Sequence, residues 1–307
     1  SPGSYYFPFA HPKKQIKIEN GKSEYLTDLI MEKTLLFLDD INDPFFLNYS
    51  PYAVHTPIHP VDSLMYKYES KSPYKGQKNP KYATMIENLD RNIGLMIDKL
   101  KKRKLFGNTF IIFTSDNGGY YGKITMQKPL RAGKGSYYDG GIRVPFFFMW
   151  KNKINPGKNT QIPITHLDIF PTIMDLTGDD YIKNDFDGNS LLPLLAQNQV
   201  LEERPFFWHF PIYLQGYDIK NNENRDSLFR TRPGSLIRKG DWKLHYYFED
   251  RGIELYNLKD DIGESNNLAE IEVDKREELV NELKAWWERT DAPIPTKINP
   301  LYSPRSN

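Results

Sequence analysis

Three short stretches of this chain hold side chains that can handle a charged substrate. In Thr109 to Gly119 (TFIIFTSDNGG), an apolar run breaks into a polar turn where Asp116 stands beside Asn117. A carboxylate next to an amide oxygen offers the hard donors that Ca2+ or Mg2+ takes, although Asp, Asn and Gly suit any turn. In Leu130 to Pro145, four glycines fall between positions 133 and 141, and Lys134 sits between two of them. Glycines let a backbone approach a ligand closely, so the Lys134 ammonium can meet an anion; the plainer alternative is a solvated lysine on a Gly-rich hairpin. The P-loop pattern GxxxxGK[ST] is not matched. In Tyr52 to Pro60, His55 and His59 lie in a proline-fixed loop. They can serve as ligands or proton donors, or as loop residues satisfied by backbone groups.

The elements around these stretches follow from periodicity. Thr109 to Thr114 lacks alternation, which predicts a strand covered on both faces. In an open α/β sheet ligands bind beyond the carboxyl ends of strands, where the Asp116 turn falls. Ahead of it, Lys81 to Lys104 carries Ala83, Ile86, Leu89, Ile93, Met96, Ile97 and Leu100 at helical steps. Its closing run Lys101-Lys102-Arg103-Lys104 complements the helix dipole. An earlier helix is expected from Tyr25 to Asp28 onward, with Thr27 as its N-cap. Pro44 to Tyr49 reads as a short strand, residues 63 to 80 as an exposed polar excursion, and Phe146 to Trp150 as another strand. Thr165 to Gly178 reads as a helix closed by Gly178, with Asp168 capping its start. Ser4 to Gly21 is an irregular lead-in, and the tail from Asp291 is Pro-rich.

Arg204 to Tyr213 is aromatic and contains His209, which fits a sugar-stacking wall and an inter-domain core equally well. Ser235 to Lys239 and Trp242 to Tyr247 flank a Gly240-Asp241 turn and predict a hairpin. Gly252 to Tyr256 adds a third antiparallel strand. A helix over Glu272 to Arg289 turns Leu279, Val280, Leu283, Trp286 and Trp287 inward.

Composition narrows the classes of function. Across 307 residues, 41 Lys plus Arg oppose 40 Asp plus Glu, so no global field favours nucleic acid or a membrane surface. There is no cysteine, which excludes a thiol nucleophile and leaves the redox compartment open. No apolar run approaches the roughly 20 residues of a spanning helix. The first residue is Ser1, not Met.

Taken together, the motifs resemble the formylglycine-dependent sulfatases of the alkaline-phosphatase superfamily. The matching stretches are Tyr25 to Asp28, PFFLNYSPYAVHTP (44–57), TSDNGG (114–119), LRAGKGSYYDGGIRVP (130–145), HLDIFPTIMDLTG (166–178), 187–195 and 235–258, in the family's order. The resemblance implies a mixed, largely parallel α/β core over residues 1–200, incomplete at its N-terminus. A small antiparallel sheet with a helix is implied over 201–307. By the same resemblance Asp116 and Asn117 are metal ligands for Ca2+ or Mg2+, Lys134 binds sulfate oxygens, and His55 contacts the sulfate and protonates the leaving oxygen. His209 is expected to bind substrate, and Arg143 to be a structural ion-pair partner.

The family's nucleophile motif, C/S-x-P-S/A-R, is absent from these residues, as are its N-terminal paired aspartates and its G-K-W-H segment. The expectation is therefore a metal-assisted sulfuric ester hydrolase, most simply a carbohydrate sulfatase, truncated at its start and without turnover as it stands. The implied partner is a sulfated small molecule or glycan, with no nucleic acid and no membrane span. The implied location is periplasmic or extracellular. Two alternatives remain open: a phosphoric ester hydrolase of the same superfamily, and a non-catalytic module that binds sulfated glycans.

Overall fold

In the computed structural model the first helix, α1 (Leu26–Asp40), is not capped by Thr27. Thr27 lies inside the helix and is buried. The reason is local: the Leu26 N–H donates to the Tyr5 carbonyl at 2.8 Å, so the start of the chain satisfies the first turn in place of a side-chain cap. The structure describes residues 3–6, 24–122, 124–178, 186–197, 199–215, 223–226, 229–297 and 299–300. Most of the expected lead-in and the last seven residues of the tail lie outside them.

Two compact units are present, Ser1–Ile111 with Trp150–Asn152, and Ile112–Met149 with Lys153–Asn307. The first holds α1, α2 (Asp62–Glu69) and α3 (Pro80–Lys102). The α3 helix begins one residue ahead of the expected Lys81, with Asn79 accepting from the Tyr82 N–H at 3.1 Å and Pro80 in the first turn. Its buried face differs from the apolar one. Met85, Asn88 and Asn92 are buried, while Ile86 is 46% exposed. Asp28 of α1 explains this, because its Oδ1 accepts from Asn88 and Asn92 at 2.9 and 2.6 Å and meets Arg91 at 3.1 Å. A carboxylate drawn partly out of water needs hydrogen-bond partners, so the two asparagines take the contact face.

Two expectations for this unit are corrected. Pro44 to Tyr49 alternates between exposed and half-buried, but forms no strand, because no described segment supplies a ladder partner. The excursion at 63–80 contains a helix, α2, docked on α3 through Lys67 and Tyr68, which both reach Glu87.

The second unit takes in all but the first residue of β1 (Ile111–Thr114), followed by the short helix α4 (Asp139–Ile142) and β2 (Phe146–Met149). The two strands form a two-stranded sheet. Phe113 is 40% and Phe147 62% exposed, so the described residues do not cover both faces as the unbroken apolar run predicts. Next come α5 (Ile169–Thr177), ended by Gly178 at φ 73°, and α6 (Leu192–Ala196). The chain continues with β3 (Pro205–Phe210), β4 (Leu214–Gln215), β5 (Phe229–Thr231), β6 (Gly234–Lys239), β7 (Trp242–Tyr247), β8 (Ile253–Asn257) and α7 (Val273–Thr290).

Strands β3-β6-β7-β8 form one antiparallel sheet, and β4-β5 another. Gly240, at φ 57°, makes the expected two-residue turn between β6 and β7. On one face Ile237, Leu244 and Leu255 pack on Leu279, Val280 and Leu283 of α7. The fold is thus mixed α/β with its antiparallel sheets in the C-terminal part. No described helix is long and apolar enough to cross a membrane.

Candidate active site

Two glycine-bearing loops of the second unit meet backbone to backbone. A Cβ at Gly118 would fall 1.8 Å from the Gly140 carbonyl oxygen, and one at Gly133 would fall 2.6 Å from that of Gly119. The seam is stitched by hydrogen bonds from the Gly118 N–H to the Gly141 carbonyl and from the Lys134 N–H to the Gly119 carbonyl, each 2.9 Å. Only residues without a side chain allow such an approach. The seam joins the turn that carries Asp116 and Asn117 to the loop that carries Lys134.

Each of these three side chains is placed by that seam. Asp116 is exposed just past the end of β1, and Asn117 donates to its Oδ1 at 2.5 Å. Lys134 is half-buried, and its ammonium has no carboxylate or other acceptor among the described residues. The Lys134 carbonyl instead accepts from Arg230 at 3.4 Å. Asp116 and Asn117 contribute only oxygen donors to an incoming ion, which fits Ca2+ or Mg2+ and not a softer metal. They would supply only part of a shell of six or more, and among the described residues no group of three or more His, Asp or Glu could complete it.

His166 holds the base of the turn, with Nε2 2.8 Å from the Ser115 carbonyl and 3.2 Å from the Thr114 hydroxyl. Asp168 is wholly buried and structural, as its position before a helix indicates. It accepts from the Thr165 and Asn189 N–H groups at 2.8 Å and pairs with Arg204.

Sequence reasoning did not find the buried ionic cluster beneath the Lys134 loop. Lys243 of β7 is fully buried and lies 2.7 Å from Asp139 and 2.8 Å from Glu264. Glu264 also accepts from the Asp139 N–H at 2.6 Å and faces His245 at 3.3 Å. Burial pushes the Glu264 carboxyl up, but Lys243 and His245 outweigh it and hold it below the usual carboxylate range. Arg143 reaches Asp139 at 3.5 Å, the ion-pair role expected of it. Alongside, Tyr138 donates to Glu254 at 2.7 Å. The segment Tyr137 to Asp139, three residues past Lys134, is thereby pinned to the sheet. The one sequence signal was alternation, which puts Lys243, His245 and Tyr247 on a single face of β7.

The histidines divide differently. His55, in the first unit, is exposed. Its Nδ1 is occupied by the Thr56 carbonyl at 2.9 Å, its N–H donates to Tyr52, and its carbonyl accepts from the Tyr5 hydroxyl. His59 is a loop anchor, with Nδ1 accepting from the Tyr5 N–H and its carbonyl from the Tyr25 hydroxyl. His209 on β3 uses both ring nitrogens inside the protein, on Ser235 at 2.7 Å and on the Pro293 carbonyl at 3.1 Å. Ser235 in turn accepts from the Trp287 indole, and burial lowers the His209 pKa. His209 is half-buried, and these contacts hold its ring inside the protein.

The chain belongs to the sulfatase family, whose model matches residues 4–179. A second model, N-sulphoglucosamine sulphohydrolase, C-terminal, matches residues 133–292. A sulfatase of Formosa agariphila is 33% identical over 89% of this chain and 52% of its own length. An uncharacterized Escherichia coli sulfatase, YdeN, is 28% identical over 80% of this chain and 47% of its own. Among solved structures, that of Ps i-CgsB in complex with k-i-k-neocarrahexaose is similar with a TM-score of 0.73 and 27% identity. It aligns with 94% of this chain and 60% of that one. The chain thus spans about half the length of the curated relatives it matches.

Proposed function

We propose that the protein to which these residues belong hydrolyses a sulfate ester of a carbohydrate. One observation carries this reading. A half-buried lysine without an acceptor among the described residues is held by a glycine seam against a turn that presents a carboxylate and an amide oxygen. Such a pair of loops suits the tetrahedral sulfate group of an ester, where a cation and a positioned ammonium offset the negative charge on its oxygens. The solved structure of Ps i-CgsB with neocarrahexaose supports a carbohydrate as the bearer of the sulfate.

In this reading the Lys134 ammonium binds sulfate oxygens and stabilises the charge that grows on them as the S–O bond breaks. The loop cannot swing away, because the Lys134 N–H is tied to Gly119 and the following turn to the buried Lys243 cluster. His55 is assigned the proton for the leaving oxygen on its chemistry, as an exposed imidazole. Asp116 and Asn117 would hold Ca2+ or Mg2+, which supplies Lewis-acid charge at the sulfate oxygens when bound. The nucleophile lies outside these 307 residues, and an exported location goes with the same reading.

The test is sulfate release from sulfated carbohydrates by the complete protein and by residues 1–307 alone. Release by the first and none by the second is expected. Preferential hydrolysis of phosphate esters by the complete protein would overturn the sulfate assignment.

A further inference from the structure

We propose that the segment from Tyr66 to Lys81 is a docking surface for a sulfated polysaccharide. This rests on the reading above, which supplies the polymer, but its geometry is independent of the two loops. Within the segment, Lys67, Lys71, Lys75, Lys78 and Lys81 face a single acid, Glu69. Lys67 is neutralised by Glu87 at 2.8 Å, and the other four lysines are exposed. In a chain of near-zero net charge this is a strong local excess.

Two large rings of the segment are exposed, Tyr66 at 77% and Tyr74 at 70%. Tyr74 is not on a loose loop. It exchanges two backbone hydrogen bonds with Gln77, at 3.2 and 2.9 Å. The two residues between them, Lys75 and Gly76, are both left-handed at φ 48° and 83°. This is a two-residue turn of the kind that closes hairpins. It holds Lys75 beside the ring of Tyr74, with Nζ 5.4 Å from the centroid, and Lys71 lies 5.1 Å over Tyr68.

Ammonium groups interleaved with fixed tyrosine faces match a polymer that alternates sulfates with the apolar faces of sugar rings. A nucleic acid is less well matched, since the chain lacks the strongly basic balance of its binders.

The experiment measures binding of residues 1–307 to immobilised carrageenan and to its chemically desulfated form, at about 50 and 200 mM salt. Expected are binding to the sulfated form only, weakening with salt, and a loss of about tenfold in the double variant Lys71→Ala/Lys75→Ala. Tyr74→Ala is expected to lose about fivefold at either salt, with all melting temperatures unchanged because these side chains are exposed. No binding by the parent chain, unchanged affinity in the variants, or tighter binding to duplex DNA or phosphatidylserine vesicles would overturn the proposal. Hydrolysis of a monosulfated monosaccharide by the complete protein is measured in parallel. Its failure counts against the enzymatic reading, whereas unchanged polymer affinity counts against the docking surface alone.

Discussion

Lys243 and Asp139 lie 104 residues apart in sequence, yet their charged atoms meet at 2.7 Å in a site closed to solvent. Removing the ammonium takes away the shared cation between Asp139 and Glu264 and leaves only Arg143 at 3.5 Å and His245 at 3.3 Å beside them. Lys243→Met is therefore expected to destabilise the protein by about 3–5 kcal/mol, the range for breaking a buried ion pair from one side. Urea denaturation checks this, and a loss below about 1 kcal/mol would show the cluster to be hydrated.

The same cluster predicts an acid limb of the stability curve. Glu264 has its carboxyl lowered from the ordinary 4.5 in the folded state. A depressed folded-state pKa contributes stability that is complete above the unfolded value and is lost as pH falls below it. Stability should thus decline as pH drops through about 4.5, and Glu264→Gln should flatten that decline while lowering stability at neutral pH. Unfolding free energies measured across the acid range decide it, and equal slopes for both proteins would count against the assignment.

Gly118→Ala drives a methyl group into the Gly140 carbonyl and is expected to cost about 1–3 kcal/mol, as overpacking does. Gly94→Ala is the matched control. It sits within α3 with nothing within 4 Å of the new Cβ, so it should add about 0.5–1 kcal/mol. Thermal melts of the two variants should shift in opposite directions.

Lys134→Ala should leave the melting temperature within a degree or two of the parent's, since its ammonium supports no described contact. In the complete protein kcat/KM should fall by about 100-fold or more, as when a donor to a developing oxyanion is removed. Comparable turnover by the variant would remove Lys134 from the chemistry.

Chelation provides a separate check on the Asp116 turn. Dialysis of the complete protein against EDTA should abolish sulfate release, and Ca2+ or Mg2+ should restore it, with Asp116→Asn raising the concentration required. Activity that survives chelation would mean that this turn holds no cation.

How much of this was written in the chain differs from place to place. The Gly178 end of α5, the β6–β7 hairpin and the buried face of α7 follow from caps, turn residues and periodicity, because each is decided by residues close in sequence. The motif loops were equally plain in their glycines. Trp242 to Tyr247 shows where such reading stops. Its alternation correctly places Leu244 against α7, and would leave Lys243 and His245 on a solvent face. They are instead covered by the Tyr137 to Asp139 segment, whose arrival is a matter of tertiary packing. Asp28 is a similar case, since nothing near it announces that two asparagines of α3 will reach for it. The partners of His209, Ser235 and the Pro293 carbonyl, were equally invisible in the sequence, since they lie 26 and 84 residues away.

The glycine seam also bears on how such a site can be altered. Because the Gly118 and Gly140 backbones abut with no side chain between them, lengthening or bulking one loop displaces the other. The Asp116 turn and the Lys134 loop must therefore change in concert or not at all. A transplant of either one to a foreign scaffold would carry its letters but lose its alignment.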